Sequence, residues 1–271
     1  MRGSVIARVR TIGIIIAVMS GIAGIVEAGV DVQAETLTVA ATPSLRAAFQ
    51  EIVPMFEKEH GASVHVVYGP SQMLRRKIEG GAPIDVFLPA SAEELLKLQR
   101  KGLVINGGPR IYAQTSLVLV TSTASSAISV YFRDVLPDLG TRLAIADPRV
   151  SDLGAITARA IAKVDPTYNT RFNVRYAQHG EGVVTLVQSG EADMGIIYRV
   201  DAISSGQMRI MDEAPAGIQA PVRFGEAVVW TCRNESLKVA EAFFDFIASP
   251  RIQKLLLKYG FDPVPPSGSR G

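Results

Sequence analysis

The sequence holds one cysteine, one tryptophan and three histidines in 271 residues. A single thiol can make no intrachain disulfide, and Cys232 lies in the apolar, strand-like run AVVWTC, which marks it as a packed side chain rather than a reactive one. The spacings of His60, His65 and His179 match no zinc pattern, so the histidines read as surface residues. The chain has no Gly-x-Ser-x-Gly motif, and Ser71 is followed by Gln72, Met73 and Leu74. No serine therefore carries a base at the spacing a secreted serine hydrolase needs, and covalent catalysis is not expected. Adjacent tyrosines, as a ferric site would use, are missing too: Tyr198 stands between Ile197 and Arg199.

Charge of one sign is also lacking. The chain carries 28 basic and 26 acidic residues. Without its first 34 residues, which contain Arg2, Arg8, Arg10, Glu27 and Asp31, the balance is 25 to 24. So even a surface argues against nucleic acid as a partner. Low-complexity tracts, solenoid repeats and long Gly, Ser or Pro linkers are absent from the sequence.

What is present begins with one long apolar run. Three arginines precede TIGIIIAVMSGIAGIV, and VQA ending at Ala34 has the small-residue form of a signal-peptide cleavage site, with Ala28 in VEA as the second choice. Residues 1–34 are thus expected to direct export and be removed. No cysteine stands near either cut to take a lipid.

Beyond the signal, short β-rich runs alternate with helical ones: TLTVAA, LRAAFQEIVPMFEKEHG, SVHVVYG, QMLRRKIEGG, IDVFLPA and AEELLKLQRKG. This is the order of an α/β unit with a mainly parallel sheet. Pro54 interrupts the first helical pattern, which resumes after it, so a kink is expected there rather than a stop. From SLVLV at 116–120 through RLAIADP, GAITARAIAKV, NVRYAQ, EGVVTLVQSG and MGIIY, the chain repeats the same alternation. The expected architecture is two lobes, each a mainly parallel sheet flanked by helices. The first would be built from residues 35–112 and a return segment, 223–271, and the second from 113–222, with crossings near SLVLV and GEAVVW.

Helices are expected to start just after strands at Ser44, Ser71, Leu153–Gly154 and Gly180–Glu181. In open α/β sheets ligands bind at that edge, where unpaired N–H groups and the helix dipole form an anion site. A serine before a helix is also an ordinary cap, so these starts alone name no anion. Arg46, Arg75 and Arg76 beside the serines read as solvated helix faces, and Asp85 as an acceptor for backbone donors at a strand start. His179 falls where it would lean over the cleft rim.

The segments VAATPSLRAAF, GPSQMLRRKIEGGAPIDVFLPAS, IADPRVSDLGAITARAI, GEGVVTLVQSGEADMGIIYRVDA and KYGFDPV together resemble the periplasmic molybdate-binding proteins of ABC importers, which are type II solute-binding proteins. The resemblance covers nearly all of residues 35–265. It implies a tetrahedral oxyanion, molybdate or tungstate, held by neutral donors only. Ser44 and Ser71 match the family's serine donors, Leu153 and Gly180 its backbone N–H donors, and Tyr198 its tyrosine hydroxyl. It further implies a periplasmic, monomeric protein that uses no cofactor and delivers its ligand to an inner-membrane permease. A cage without an acceptor would also exclude phosphate, which carries a proton near neutral pH. ATPSL and GPSQ depart from the family pattern, as do Leu153 and Gly180, which bears on pocket size and anion preference. The alternatives are another anion or ferric ion on the same fold; a DNA-tethered sensor would need a helix-turn-helix where the signal peptide lies.

Overall fold

The computed structural model describes residues 35–126, 130–135, 140–164, 166–167 and 173–264. The expected signal peptide lies outside them. Ten strands form two five-stranded sheets among the described residues. The first contains β1 (Thr36–Ala41), β2 (Ser63–Tyr68), β3 (Val86–Leu88), β4 (Arg110–Thr115) and β10 (Val222–Val228), ordered β2-β1-β3-β10-β4. The second contains β5 (Leu117–Ser122), β6 (Leu143–Ala146), β7 (Val174–Ala177), β8 (Met194–Tyr198) and β9 (Met208–Glu213), ordered β7-β6-β8-β5-β9.

In each sheet one strand runs against the rest. β1 pairs in parallel with β2 and β3, and β6 with β7 and β8, whereas β10 is antiparallel to β3 and β4, and β5 to β8 and β9. Each reversed strand is the one with which the chain enters that sheet from the other. The first passage is a single residue, Ser116, between β4 and β5, and the second is residues 214–221, between β9 and β10. The crossings thus fall beside SLVLV and ahead of GEAVVW, most of which lies inside β10 of the first sheet. The C-terminal GFD segment pins this junction. Arg199 donates to the Gly260 carbonyl at 3.1 and 3.2 Å and pairs with Asp262, while Gln114 and Asp262 exchange backbone hydrogen bonds.

Helices cover both sheets: α1 (Arg46–His60), α2 (Ser71–Glu79), α3 (Ala92–Arg100), α4 (Phe132–Val135), α5 (Asp152–Ala162), α6 (Gly180–Gln188), α7 (Arg199–Ser205), α8 (Leu237–Ile247) and α9 (Pro250–Lys258). Strands sandwiched this way are apolar on both faces, and Val39, Ala40 and Ala41 of β1 are all fully buried. α1 buries Ala48, Phe49, Ile52 and Phe56, one stripe at helical spacing, against Phe243 of α8. Burial of each such phenylalanine stabilises the lobe by about 1.5–3 kcal/mol. Pro54 lies inside α1 on its exposed side, and the helix runs through it to Gly61, whose left-handed backbone closes the last turn.

Asp85 is fully buried, and its carboxylate accepts from the backbone N–H of Thr38 at 2.7 Å and of Arg233 at 3.2 Å. It ties β1 to the segment after β10, the structural role its place at a strand start suggested. Cys232 is half-buried, its thiol pushed up to about 12 by burial and then by Asp85, so it stays protonated.

Candidate functional site

The parallel strands of each sheet end on the same cleft. A cavity of about 490 Å³ there is lined from the first lobe by Thr42, Ser44, Arg46 and Ser71 and from the second by Asp152, Leu153, His179, Gly180 and Asp201, among others. Four of the five donors implied by the resemblance, Ser44, Ser71, Leu153 and Gly180, thus come together. Tyr198 does not line the cavity: it ends β8 at 2% exposure, its ring edge-on to Phe224 at 5.9 Å and its hydroxyl without a partner.

Three α-helices present their N-termini to this space. α5 starts at Asp152 with Ser151 as cap, its hydroxyl accepting from the Gly154 N–H at 3.4 Å. α6 starts at Gly180 with His179 as cap, Nδ1 accepting from the Gly182 N–H at 3.2 Å. Each cap satisfies the third N–H of its helix and leaves those of Leu153 and Gly180 without a helical acceptor. His179 therefore stands at the cavity as an N-cap, and it needs a bare Nδ1 to do so. Gly154 is required by close approach, since a Cβ there would lie 2.5 Å from the Asp147 carbonyl.

The serines do not cap helices. Ser44 sits in the middle of a 3-10 turn, Pro43–Leu45, which precedes α1, and Ser71 is the first residue of α2 rather than its cap, a place taken by Pro70. A proline just ahead of each serine sets the backbone of the turn, so the hydroxyls are free to point elsewhere. That of Ser71 accepts from the Ala90 N–H at 3.1 Å and faces Asp152; that of Ser44 faces Asp201.

These two carboxyls are what sequence reasoning missed. A cage of neutral donors only is not what the chain builds: Asp152 and Asp201 both line the cavity, so the site has acceptors and their absence cannot exclude phosphate. Asp152 is 8% exposed and its Oδ2 has no partner. Burial pushes its carboxyl up, and Ser71 and Gln72 pull it down only in part. Asp201 is pushed up to about 7, chiefly by burial, against the Ser44 hydroxyl and with Glu181 adding to the rise. The Tyr198 hydroxyl is pushed well up by burial and by both carboxyls, which keeps it a donor. As first-turn acids on helices, Asp152 and Asp201 carry no mark in the sequence that separates them from ordinary dipole partners.

The cations beside the serines have other work. Arg46 lies 4.2 Å over the Tyr68 ring and pairs with Glu181 across the cleft at 3.5 Å. Arg75 is held between Glu79 and Glu94, both at 2.5 Å, and is mostly buried. Among the described residues no group of three or more His, Cys, Asp or Glu side chains is poised to hold a metal ion, and no helix is long and apolar enough to cross a membrane.

Two α/β lobes closing helix N-termini on one polar cavity define a binding protein for a small solute. The chain belongs to the bacterial extracellular solute-binding protein family, whose model matches residues 37–262. It is 29% identical over 229 residues to the molybdate-binding protein ModA of Escherichia coli, across 83% of this chain and 88% of that protein. Its fold is similar to that of the Azotobacter vinelandii periplasmic molybdate-binding protein, with a TM-score of 0.74 at 21% identity over 84% of this chain and 99% of that one. It is also similar in fold to the sulfate-binding protein SubI of Mycobacterium tuberculosis, with a TM-score of 0.71 at 20% identity over 86% and 88%.

Proposed function

We propose that this protein captures molybdate or tungstate in the periplasm and delivers it to the permease of an ABC importer, with no covalent chemistry of its own. The observation that carries this reading is the convergence of Ser44, Ser71, Leu153 and Gly180, from both lobes, on one cavity with helix N–H groups directed into it. Such donors stabilise a dianion without a cationic side chain. The name of the Escherichia coli relative supports molybdate over other solutes. Ser44 and Ser71 lie on one lobe and Leu153, Gly180 and Tyr198 on the other, so the lobes must close for all five to reach one anion. Tyr198, whose buried hydroxyl has no partner, completes the cage when the lobes close.

Elemental analysis tests the reading. Protein dialysed after exposure to equimolar molybdate, sulfate and ferric citrate should retain about one molybdenum per chain, as a tight site in a binding protein requires. Iron retained in its place would support the ferric alternative, and sulfur from sulfate would move the assignment to another anion.

A further inference from the structure

Asp152 and Asp201 stand where an anion's charge would fall. Asp201 Oδ2 lies 2.5 Å from the position a Cβ would take at Gly180, against the N-terminus of α6, and the carboxyl faces the Ser44 hydroxyl. Asp152 faces the Ser71 hydroxyl and Gln72 at the start of α2, with Oδ2 buried and unpartnered. The protein's own carboxyls therefore share one cavity with the donors implied for the ligand. A dianion entering the same cavity would meet like charges, and neighbouring like charges favour protonation of one of the groups.

We propose that Asp152 and Asp201 are specificity-determining residues that make capture of a fully ionised oxyanion proton-coupled: the anion takes the serine hydroxyls beside the carboxyls, and one proton from solution neutralises one of the two. This rests on the oxyanion reading above. The surroundings favour the protonated form. Around Asp152 stand Ser71 and Gln72 of α2, Glu94 and Lys97 of α3 and the Tyr198 hydroxyl of β8, and the two charges cancel. Around Asp201 stand Ser44, Glu181 of α6 and Tyr198, with Arg46 of α1 drawn off toward Glu181. Neither carboxyl has a cation of its own within ion-pair reach among the described residues. A protonated carboxyl, unlike a carboxylate, can donate to the ligand, so proton uptake turns the obstacle into a further donor.

Titration calorimetry on the full chain decides this, with sodium molybdate and, separately, sodium sulfate, in paired buffers of different ionisation enthalpy. Between pH 7 and 9 the bound anion should take up roughly one proton, and Kd should rise about tenfold per pH unit above pH 7 and level off below it. In the Asp152→Asn, Asp201→Asn double variant the proton uptake should vanish and Kd should change less than about threefold over the same range. Wild-type molybdate binding with the same Kd from pH 6 to 9 and no buffer dependence overturns the inference and leaves the molybdate reading intact. If only sulfate binds, the molybdate reading falls and the proton count with sulfate decides the inference. If neither binds at pH 6, both fall.

Discussion

Asp201 occupies the space that a side chain at residue 180 would need, whereas at residue 154 that space is filled by the Asp147 backbone: a Cβ would approach Asp201 Oδ2 or the Asp147 carbonyl to the same 2.5 Å. The two glycines thus answer differently to alanine. Gly154→Ala must push main chain and should lower unfolding free energy by about 1–3 kcal/mol, while Gly180→Ala need only swing a carboxyl and should cost under about 1 kcal/mol. Because the swing moves a carboxyl that lines the cavity, Gly180→Ala should alter anion affinity more than stability. Urea melts and a molybdate titration on both variants check the pair, and equal losses of stability would contradict it.

Tyr198→Phe removes a hydroxyl that has no partner in the unliganded protein, so stability without ligand should hold or rise slightly. Ligand affinity should fall roughly ten- to a hundredfold, as for the loss of a hydrogen bond to a charged oxygen. Ser71→Ala should cost affinity by a similar factor and stability as well, about 1–3 kcal/mol, because the buried Ala90 N–H loses its acceptor. Thermal melts with and without molybdate separate the two effects. An unchanged ligand-induced rise in both variants would make the hydroxyls structural.

The unliganded protein should lose stability as pH rises. Asp201 is raised from 3.8 to about 7 and the buried Glu226, beside Arg110, from 4.5 to about 8, in both cases mainly by burial. Between these values the unfolded chain has released protons that the folded one keeps, so the stability is present below about pH 4 and falls toward pH 8. Each group contributes a slope of at most about 1.4 kcal/mol per pH unit, Asp201 up to pH 7 and Glu226 up to pH 8. Asp201→Asn should flatten the lower part of the curve in denaturant titrations at fixed ionic strength; an unaltered slope would mean that Asp201 ionises normally.

Much of this was legible in the sequence. Alternating strand and helix patterns fix two α/β lobes, because parallel strands buried on both faces need continuous apolar runs such as LAIA, and the family motifs place four of the expected donor residues at one cavity. That Ser44 caps no helix was not legible: Pro43 starts a 3-10 turn one step early and Ser44 falls inside it. Asp152 and Asp201 were hidden for a different reason. A first-turn acid usually faces water and the helix dipole, and only tertiary packing sets Asp152 and Asp201 on the same cavity as Ser71 and Ser44. The position of the second crossing also depends on tertiary contacts, since nothing in VRFGEAV marks which sheet it joins.

One oxyanion should sit among Ser44, Ser71, Leu153, Gly180 and Tyr198. Diffraction from crystals grown with molybdate, measured at the molybdenum absorption edge, tests it most directly. A single anomalous peak per chain is expected in the cleft, with oxygens at about 2.7–3.1 Å from both serine hydroxyls and from the Leu153 and Gly180 nitrogens. A peak outside the cleft, or none at saturating molybdate, would contradict it.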